Sequence, residues 1–222
     1  MPTLTWQRLD PTRRERILAA AMDEFGGSGY SAGSLNTVAR EAGVAKGSLF
    51  QYFDDKLDLF SYVAGVAAEN VREALAPWLG TIPEDGTYYE FLCDGLLAWT
   101  RYFASHPRER GLVAATHLEI DPQVRAAVHE PARRLYAAEV ATLAEQAVRR
   151  GDFRPDADPE AFAAFLSLLL PHLAVAPSEP GFDTLVPLYG LSGTERDAQV
   201  IRLVTAVYAG FGTPGSTDSA TG

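Results

Sequence analysis

Sulfur is nearly absent from this chain: its 222 residues hold one cysteine, Cys93, and two methionines. A single thiol excludes a disulfide framework and a Cys-based zinc finger, and it fits a reducing compartment. Positive charge is short as well, with 19 Lys+Arg against 29 Asp+Glu and a formal net charge of −10. A protein that coats nucleic acid without regard to sequence needs a basic surface, so this balance argues against that class. Long apolar runs are missing. The longest, residues 161–176, is interrupted by Ser167, Pro171 and His172, and it is shorter than the roughly 20 residues of a bilayer span. Residues 1–16 carry Trp6, Arg8, Asp10, Arg13, Arg14 and Glu15 with no apolar segment of a secretory signal. The expectation is a soluble cytoplasmic protein with no membrane partner. Strand-like alternation and a repeat period are lacking too.

What the chain does contain is core-forming material and helix punctuation. Hydrophobic residues make up 47%, which excludes wholesale disorder. Thr12-Arg13-Arg14-Glu15 has the capping-box pattern, followed by Ile17, Leu18, Ala21, Met22 and Phe25 at helical spacing, with Gly26-Gly27 as the expected stop. A second helix is expected from a Ser34 cap to Ala42, with Gly43 ending it, and a short third from Ala45 to Phe53. Asp54 or Asp55 caps a long fourth helix running towards Leu79, and residues 80–86 form a loop. Thr87 to Glu90 and Ser192 to Glu195 repeat the capping box, and Pro107, Asp121-Pro122 and Asp158-Pro159 open further helices. Pro131 is expected to kink or restart its helix, and residues from Gly212 onward read as a frayed tail. The fold class is all-α.

Residues 34–56 concentrate the chemistry. Two short helices flank a tight turn at Gly43, the helix-turn-helix layout, with Leu35, Val38, Ala39, Ala42, Val44, Leu49 and Phe53 as the packing residues. Lys46, Gly47, Ser48, Phe50, Gln51 and Tyr52 occupy the rest of the second helix. A cation, a hydroxyl, an amide and two rings on so short a helix suit a DNA major groove. Lys56 is placed for a backbone phosphate. Core packing is the competing role for Phe50 and Tyr52, and a solvated surface is the competing role for Lys46.

The stretch from Thr12 to Phe60 resembles the TetR (tetracycline-repressor-like) family of bacterial transcriptional regulators. The resemblance rests on Phe25, Gly29-Tyr30, Leu35, Val38-Ala39, Ala42-Gly43-Val44, Lys46 to Phe50, Tyr52-Phe53, Lys56 and Leu59. It implies DNA contacts at Ser34, Asn36, Lys46, Gly47, Ser48, Phe50, Gln51, Tyr52 and Lys56. Two departures stand out: Ala45 replaces a usual capping Ser, a loss of about 1 kcal/mol, and Phe50 replaces the commoner Tyr. The resemblance also implies a three-helix DNA-binding domain over residues 1–60, an effector-binding and dimerisation domain over 61–212, and a flexible tail over 213–222. A homodimer formed through the Asp158–Phe211 helices would read a palindromic operator in double-stranded DNA and act as a repressor released by a small effector. The alternative is a helical ligand-binding protein with weakened DNA binding. Candidate ligand contacts are Phe91, Trp99, Phe103, His117, Tyr136, Phe165 and His172, each with core packing or a surface role as the competing explanation.

No enzyme is expected, and neither is a metal or a cofactor. Residues 29–33 match G-x-S-x-G, but a nucleophile elbow needs a strand before Ser31, and a helix precedes it here. Residues 43–48 are a poor phosphate loop, because Lys46 precedes Gly47 instead of following it. His117, Glu119 and Asp121, spaced by two, do not share a helical face. Cys93 reads as a small core residue. The charge, finally, is divided unevenly: residues 1–60 hold 7 Lys+Arg and 8 Asp+Glu, while residues 61–222 hold 12 and 21. Lys46, Lys56, Arg40, Arg8, Arg13, Arg14 and Arg16 are left for phosphate work, so non-specific DNA binding should be weak.

Overall fold

The computed structural model describes residues 2–182 and 185–214, with the side chains of 129–135 outside that description. Its helices are α1 (Leu4–Gln7), α2 (Pro11–Ala32), α3 (Leu35–Glu41), α4 (Lys46–Tyr52), α5 (Lys56–Ala74), α6 (Tyr88–Ser105), α7 (Pro107–His117), α8 (Pro122–Arg150), α9 (Pro159–Val175) and α10 (Gly193–Tyr208). Among the described residues there is no strand, and one isolated bridge pairs Phe153 with Gly212. No described helix is long and apolar enough to cross a membrane. The chain forms two compact units. One is residues 1–71 with 106–132, the other residues 72–105 with 133–222.

In the first unit, the cap of α2 is Asp10, two residues before the Thr12 expected from the sequence. Asp10 Oδ1 accepts the Arg13 N–H at 3.1 Å, and Pro11 at the first helical position supplies a preset φ. Nor does α2 stop at Gly26-Gly27. It runs to Ala32, with a break at Gly29, whose φ of 69° and ψ of −179° are non-helical. Gly26 is there for packing: a Cβ on it would sit 3.3 Å from the Gly111 backbone, so the two glycines let α2 and α7 touch. Arg108 fixes the same crossing with two hydrogen bonds to Asp23, at 2.7 and 2.9 Å. Around this pair, Trp6, Ile17, Phe25, Val38, Leu49, Phe53, Phe60 and Leu112 form one continuous buried core.

Asp55 caps α5 by accepting the Asp58 N–H at 2.8 Å. This helix ends at Ala74, short of the expected Leu79, because Pro77 cannot continue an α-ladder, and a single 3₁₀ turn (Ala76–Trp78) takes over.

The second unit is built on α6, the later part of α8, α9 and α10. Its caps fall where the sequence places them. Thr87 and Glu90 satisfy each other's N–H groups at 3.2 and 3.0 Å, Asp158 accepts from Ala161 at 3.0 Å, and Ser192 with Glu195 completes a capping box. The core is an aromatic cluster: Phe153 lies 5.3 Å from Tyr88, 4.8 Å from Phe162 and 5.7 Å from Tyr208, centroid to centroid. Arg150, at the end of α8, pins the 80–86 loop by donating to the Pro83 carbonyl at 2.7 Å while pairing with Asp152 at 2.9 Å.

Three boundaries here differ from the sequence reading. The backbone of α8 is helical throughout Pro122–Arg150, so Pro131 does not restart it; one missing ladder bond is a small part of a 29-residue helix. α10 ends at Tyr208, not at Phe211. The segment after it is held at its start, since the Thr213 N–H donates to the Asp152 carbonyl at 3.0 Å. Residues 215–222 lie outside the described residues.

Candidate nucleic-acid interface and apolar cavity

The geometry of the helix-turn-helix follows from backbone bookkeeping at its turn. Gly43 adopts φ 66°, its N–H donates to the Arg40 carbonyl at 3.1 Å, and the Val44 N–H donates to the Ala39 carbonyl at 2.9 Å. These two bonds are a Schellman motif, which stops α3 and redirects the chain into α4. Ser34 caps α3 by accepting the Thr37 N–H at 3.5 Å, and Glu24 reaches from α2 to accept the Ser34 N–H at 2.8 Å. Ala45, at the start of α4, makes no side-chain cap bond.

The face of α4 follows directly. Leu49 and Tyr52 point into the core, while Lys46, Gly47, Phe50 and Gln51 are exposed and Ser48 is half-buried. Asn36 on α3 is exposed too. Two of the residues expected at DNA are placed otherwise. Tyr52 is only 4% exposed, and its ring lies 5.8 Å from that of Trp6, so it is a core residue. Lys56 is already engaged: its ammonium donates to the Ser31 carbonyl at 3.2 Å and sits 4.5 Å above the Tyr30 ring. Burial, with the carboxylate of Asp55 next, pushes the Tyr30 hydroxyl above its ordinary range. Asp55 and Asp58 act as backbone acceptors beside this group, Asp58 for the Asp54 N–H at 3.2 Å.

Two residues to which the sequence pattern assigns no role at α4 hold its far end. Thr3 donates through Oγ1 to the Gln51 carbonyl at 2.7 Å and through its N–H to the Tyr52 carbonyl at 3.0 Å. Trp6 is 1% exposed, and its indole N–H donates to the Tyr62 hydroxyl at 3.1 Å. A four-residue helix is too short to show periodicity, so only the buried-type residue Trp6 in a polar segment signals it.

The second unit contains a cavity of about 610 Å³, its open mouth included. Three of the seven candidate ligand residues line it, namely Phe91, Trp99 and Tyr136. Leu166, Leu170 and Trp78 complete much of the wall, and none of them was singled out from sequence, because a cavity lining and a core have the same composition. Gly95 admits Trp78, for a Cβ there would meet the Trp78 Cβ at 3.2 Å. The Trp99 indole N–H is spent on the Leu170 carbonyl at 2.8 Å, which removes one polar group from the lining.

The other four candidates lie elsewhere. Phe103 is fully buried against Trp99 at 4.9 Å, Phe165 is 53% exposed on α9, His117 is exposed at the end of α7, and His172 is half-buried near the end of α9 outside the lining. Glu119 is buried and accepts the Asp121 N–H at 3.0 Å, so it serves the α7–α8 junction. Burial pushes the Cys93 thiol up to about 11, which makes it an inert core group at neutral pH.

The sequence pattern of the tetR family of bacterial regulatory proteins matches residues 17–63, spanning most of α2 to the first half of α5. Over 72 residues the chain is 35% identical to the HTH-type transcriptional regulator AcrR of Shigella flexneri, covering 32% of this chain and 34% of that one. Over 67 residues it is 39% identical to the HTH-type transcriptional activator FasR of Mycolicibacterium smegmatis, covering 28% and 31%. The match thus spans about a third of the length of these relatives. A TetR family transcriptional regulator from Chloroflexus aurantiacus superposes with a TM-score of 0.68 at 20% identity, over 96% of this chain and 99% of that one, a likeness of fold. Residues 17–63 thus carry the helix-turn-helix pattern of the tetR family of bacterial regulatory proteins, and the chain as a whole shares the fold of a solved TetR family regulator.

Proposed function

We propose that this protein is a homodimeric, cytoplasmic transcriptional repressor that binds a palindromic operator and leaves it when an uncharged, lipophilic or aromatic molecule enters the cavity of the second unit. The observation that carries the reading is the face of α4, where Lys46, Gly47, Phe50 and Gln51 stand exposed on a helix fixed by the Gly43 turn. Asn36 and Ser34 flank that face from α3, and Ser48 lies at its edge. Lys46 takes a phosphate, Gln51 reads a base edge, and Phe50, having no hydroxyl, gives apolar contact of the kind a thymine methyl offers.

Dimerisation is supported by apolar exposure on neighbouring helices of the second unit. Phe165 and Leu168, three residues apart on α9, are 53% and 74% exposed, and Ile201 on α10 is 37% exposed. Large side chains of this kind on one face favour a self-complementary two-fold contact. The ligand class follows from a wall of Leu, Trp, Tyr and Phe with no charged residue. Release would follow only if the molecule binds the DNA-free arrangement better than the DNA-bound one.

The test joins sedimentation with transcription. Full-length protein should sediment as a dimer, Leu168→Glu should shift it to monomer, and a promoter bearing the duplex that the protein selects from a random library should be silenced by the wild type alone. A wild-type monomer, or a promoter activated by the protein, would refute the dimer or the repressor part respectively.

A further inference from the structure

The recognition helix is supported from a distant segment of the chain. At seven residues α4 is too short to be stable alone, its first turn has no side-chain cap at Ala45, and its last carbonyls need partners from outside the helix. Two of those carbonyls, Gln51 and Tyr52, are taken by Thr3, 48 residues away along the chain from Gln51. Thr3 is itself locked in place. Its Oγ1 accepts the Trp6 N–H at 3.4 Å, and Trp6 is wedged among Tyr52, Phe53 and Tyr62 at centroid distances of 5.8, 4.9 and 5.6 Å. The indole N–H bond to Tyr62 ties the same segment to α5. Residues 3–7 therefore bridge the end of α4 to α5, and they do so directly behind Gln51, an exposed residue of the proposed DNA face.

We propose that residues 3–7 are a positioning clamp that sets the end of the recognition helix, and that they raise the preference for operator over other DNA without touching DNA themselves. The clamp rests on the DNA-binding reading above, and its mechanism is pre-organisation. A helix whose C-terminal carbonyls are held presents Phe50 and Gln51 in one register, so less ordering is left for the moment of binding. Phosphate contacts depend on charge and tolerate a looser helix, whereas base-edge contacts do not.

The experiment uses full-length protein and a duplex chosen by it from a random library, against a scrambled duplex of the same composition. Thr3→Val keeps the side-chain shape and removes the hydroxyl, and Thr3→Ser keeps the hydroxyl. Thr3→Val should lower operator affinity about fivefold or more, because the hydroxyl loses both its bond to the Gln51 carbonyl and its acceptance of the Trp6 N–H, and one net hydrogen bond is worth about fivefold. Scrambled-duplex affinity should stay within about twofold, since that term is set by phosphates. Thr3→Ser should restore wild-type discrimination, and amide exchange over residues 46–53 should speed up in Thr3→Val but not in Thr3→Ser.

Equal losses on both duplexes would make Thr3 a fold element only and overturn the clamp. So would wild-type discrimination in Thr3→Val and in a variant lacking residues 2–7, or a Thr3→Ser variant that behaves like Thr3→Val. A wild-type protein that selects no duplex would refute the DNA reading and the clamp with it, an outcome distinct from all of these.

Discussion

Gly26 and Gly111 meet backbone to backbone: a Cβ on Gly111 would lie 3.0 Å from the Gly26 Cα and 3.1 Å from its carbonyl carbon and oxygen. Backbone cannot rotate aside, so Gly111→Ala should destabilise the protein. Overpacking costs about 1–3 kcal/mol, partly offset by up to about 1 kcal/mol of helix propensity. Gly27→Ala, one residue from the crossing and with nothing within 4 Å of its Cβ position, should gain that propensity and raise the urea midpoint. Midpoints that shift in the same direction for both variants would contradict the crossing.

Ala45 offers the opposite opportunity. Its extended backbone, φ −70° and ψ 141°, is already that of an N-cap, and only the side-chain acceptor is missing. Ala45→Ser should stabilise by about 0.5–1 kcal/mol, measured by chemical denaturation. An unchanged midpoint would mean that water satisfies the first turn equally well.

The same contrast separates what was legible in the sequence from what was not. Ser34, Thr87 with Glu90, Asp158 and Ser192 with Glu195 cap their helices as read, because a cap is a contact between residues two or three apart. The Gly43 turn was legible for the same reason. Gly26-Gly27 looks like a stop in the sequence, whereas Gly26 serves a contact with Gly111, 85 residues further on, and nothing lies within 4 Å of the Gly27 Cβ position. Thr3 and Trp6 were missed because the recognition helix borrows them from a distant segment. At the cavity, Phe91, Trp99 and Tyr136 were found by residue type, but Leu166 and Leu170 have no signal that sets them apart from core leucines.

Cavity occupancy can be tested with an uncharged fluorescent probe, N-phenyl-1-naphthylamine. Wild-type protein should bind it, and Leu166→Trp, which adds bulk to the wall, should weaken binding about tenfold or more. Operator affinity without probe should be unchanged. Equal probe binding by both proteins would place the site elsewhere.

Cys93 and the buried tyrosines predict an alkaline limit. Burial raises the Cys93 thiol from its ordinary 9.0 to about 11, and burial raises Tyr88 as well. The folded state thus holds these protons more tightly than the unfolded state. The Cys93 contribution is fully present below pH 9 and is lost as pH rises through 11, while that of Tyr88 begins to fall only above pH 10 and goes on falling beyond that window. Urea unfolding should show stability falling over that window. Cys93→Ala should flatten the part between 9 and 11, and an unaltered slope would contradict the assignment.

Lys46 and Gln51 should fail in different ways. Lys46→Ala should weaken binding to every duplex alike and reduce the salt slope by about one, the signature of a lost phosphate contact. Gln51→Ala should leave the slope unchanged and relax the preference at one position of each half-site. Identical behaviour of the two variants in anisotropy titrations at several salt concentrations would reject the division of roles.

Sequence-specific DNA binding by α4 has to arise despite a net charge of −10. Selection by the full-length protein from a random duplex library, at moderate salt, tests it most directly. The predicted result is one enriched palindrome, its half-sites about one helical turn apart, that the double variant Lys46→Ala, Gln51→Ala no longer enriches. A library that returns no palindrome, or the same one with the double variant, would contradict it.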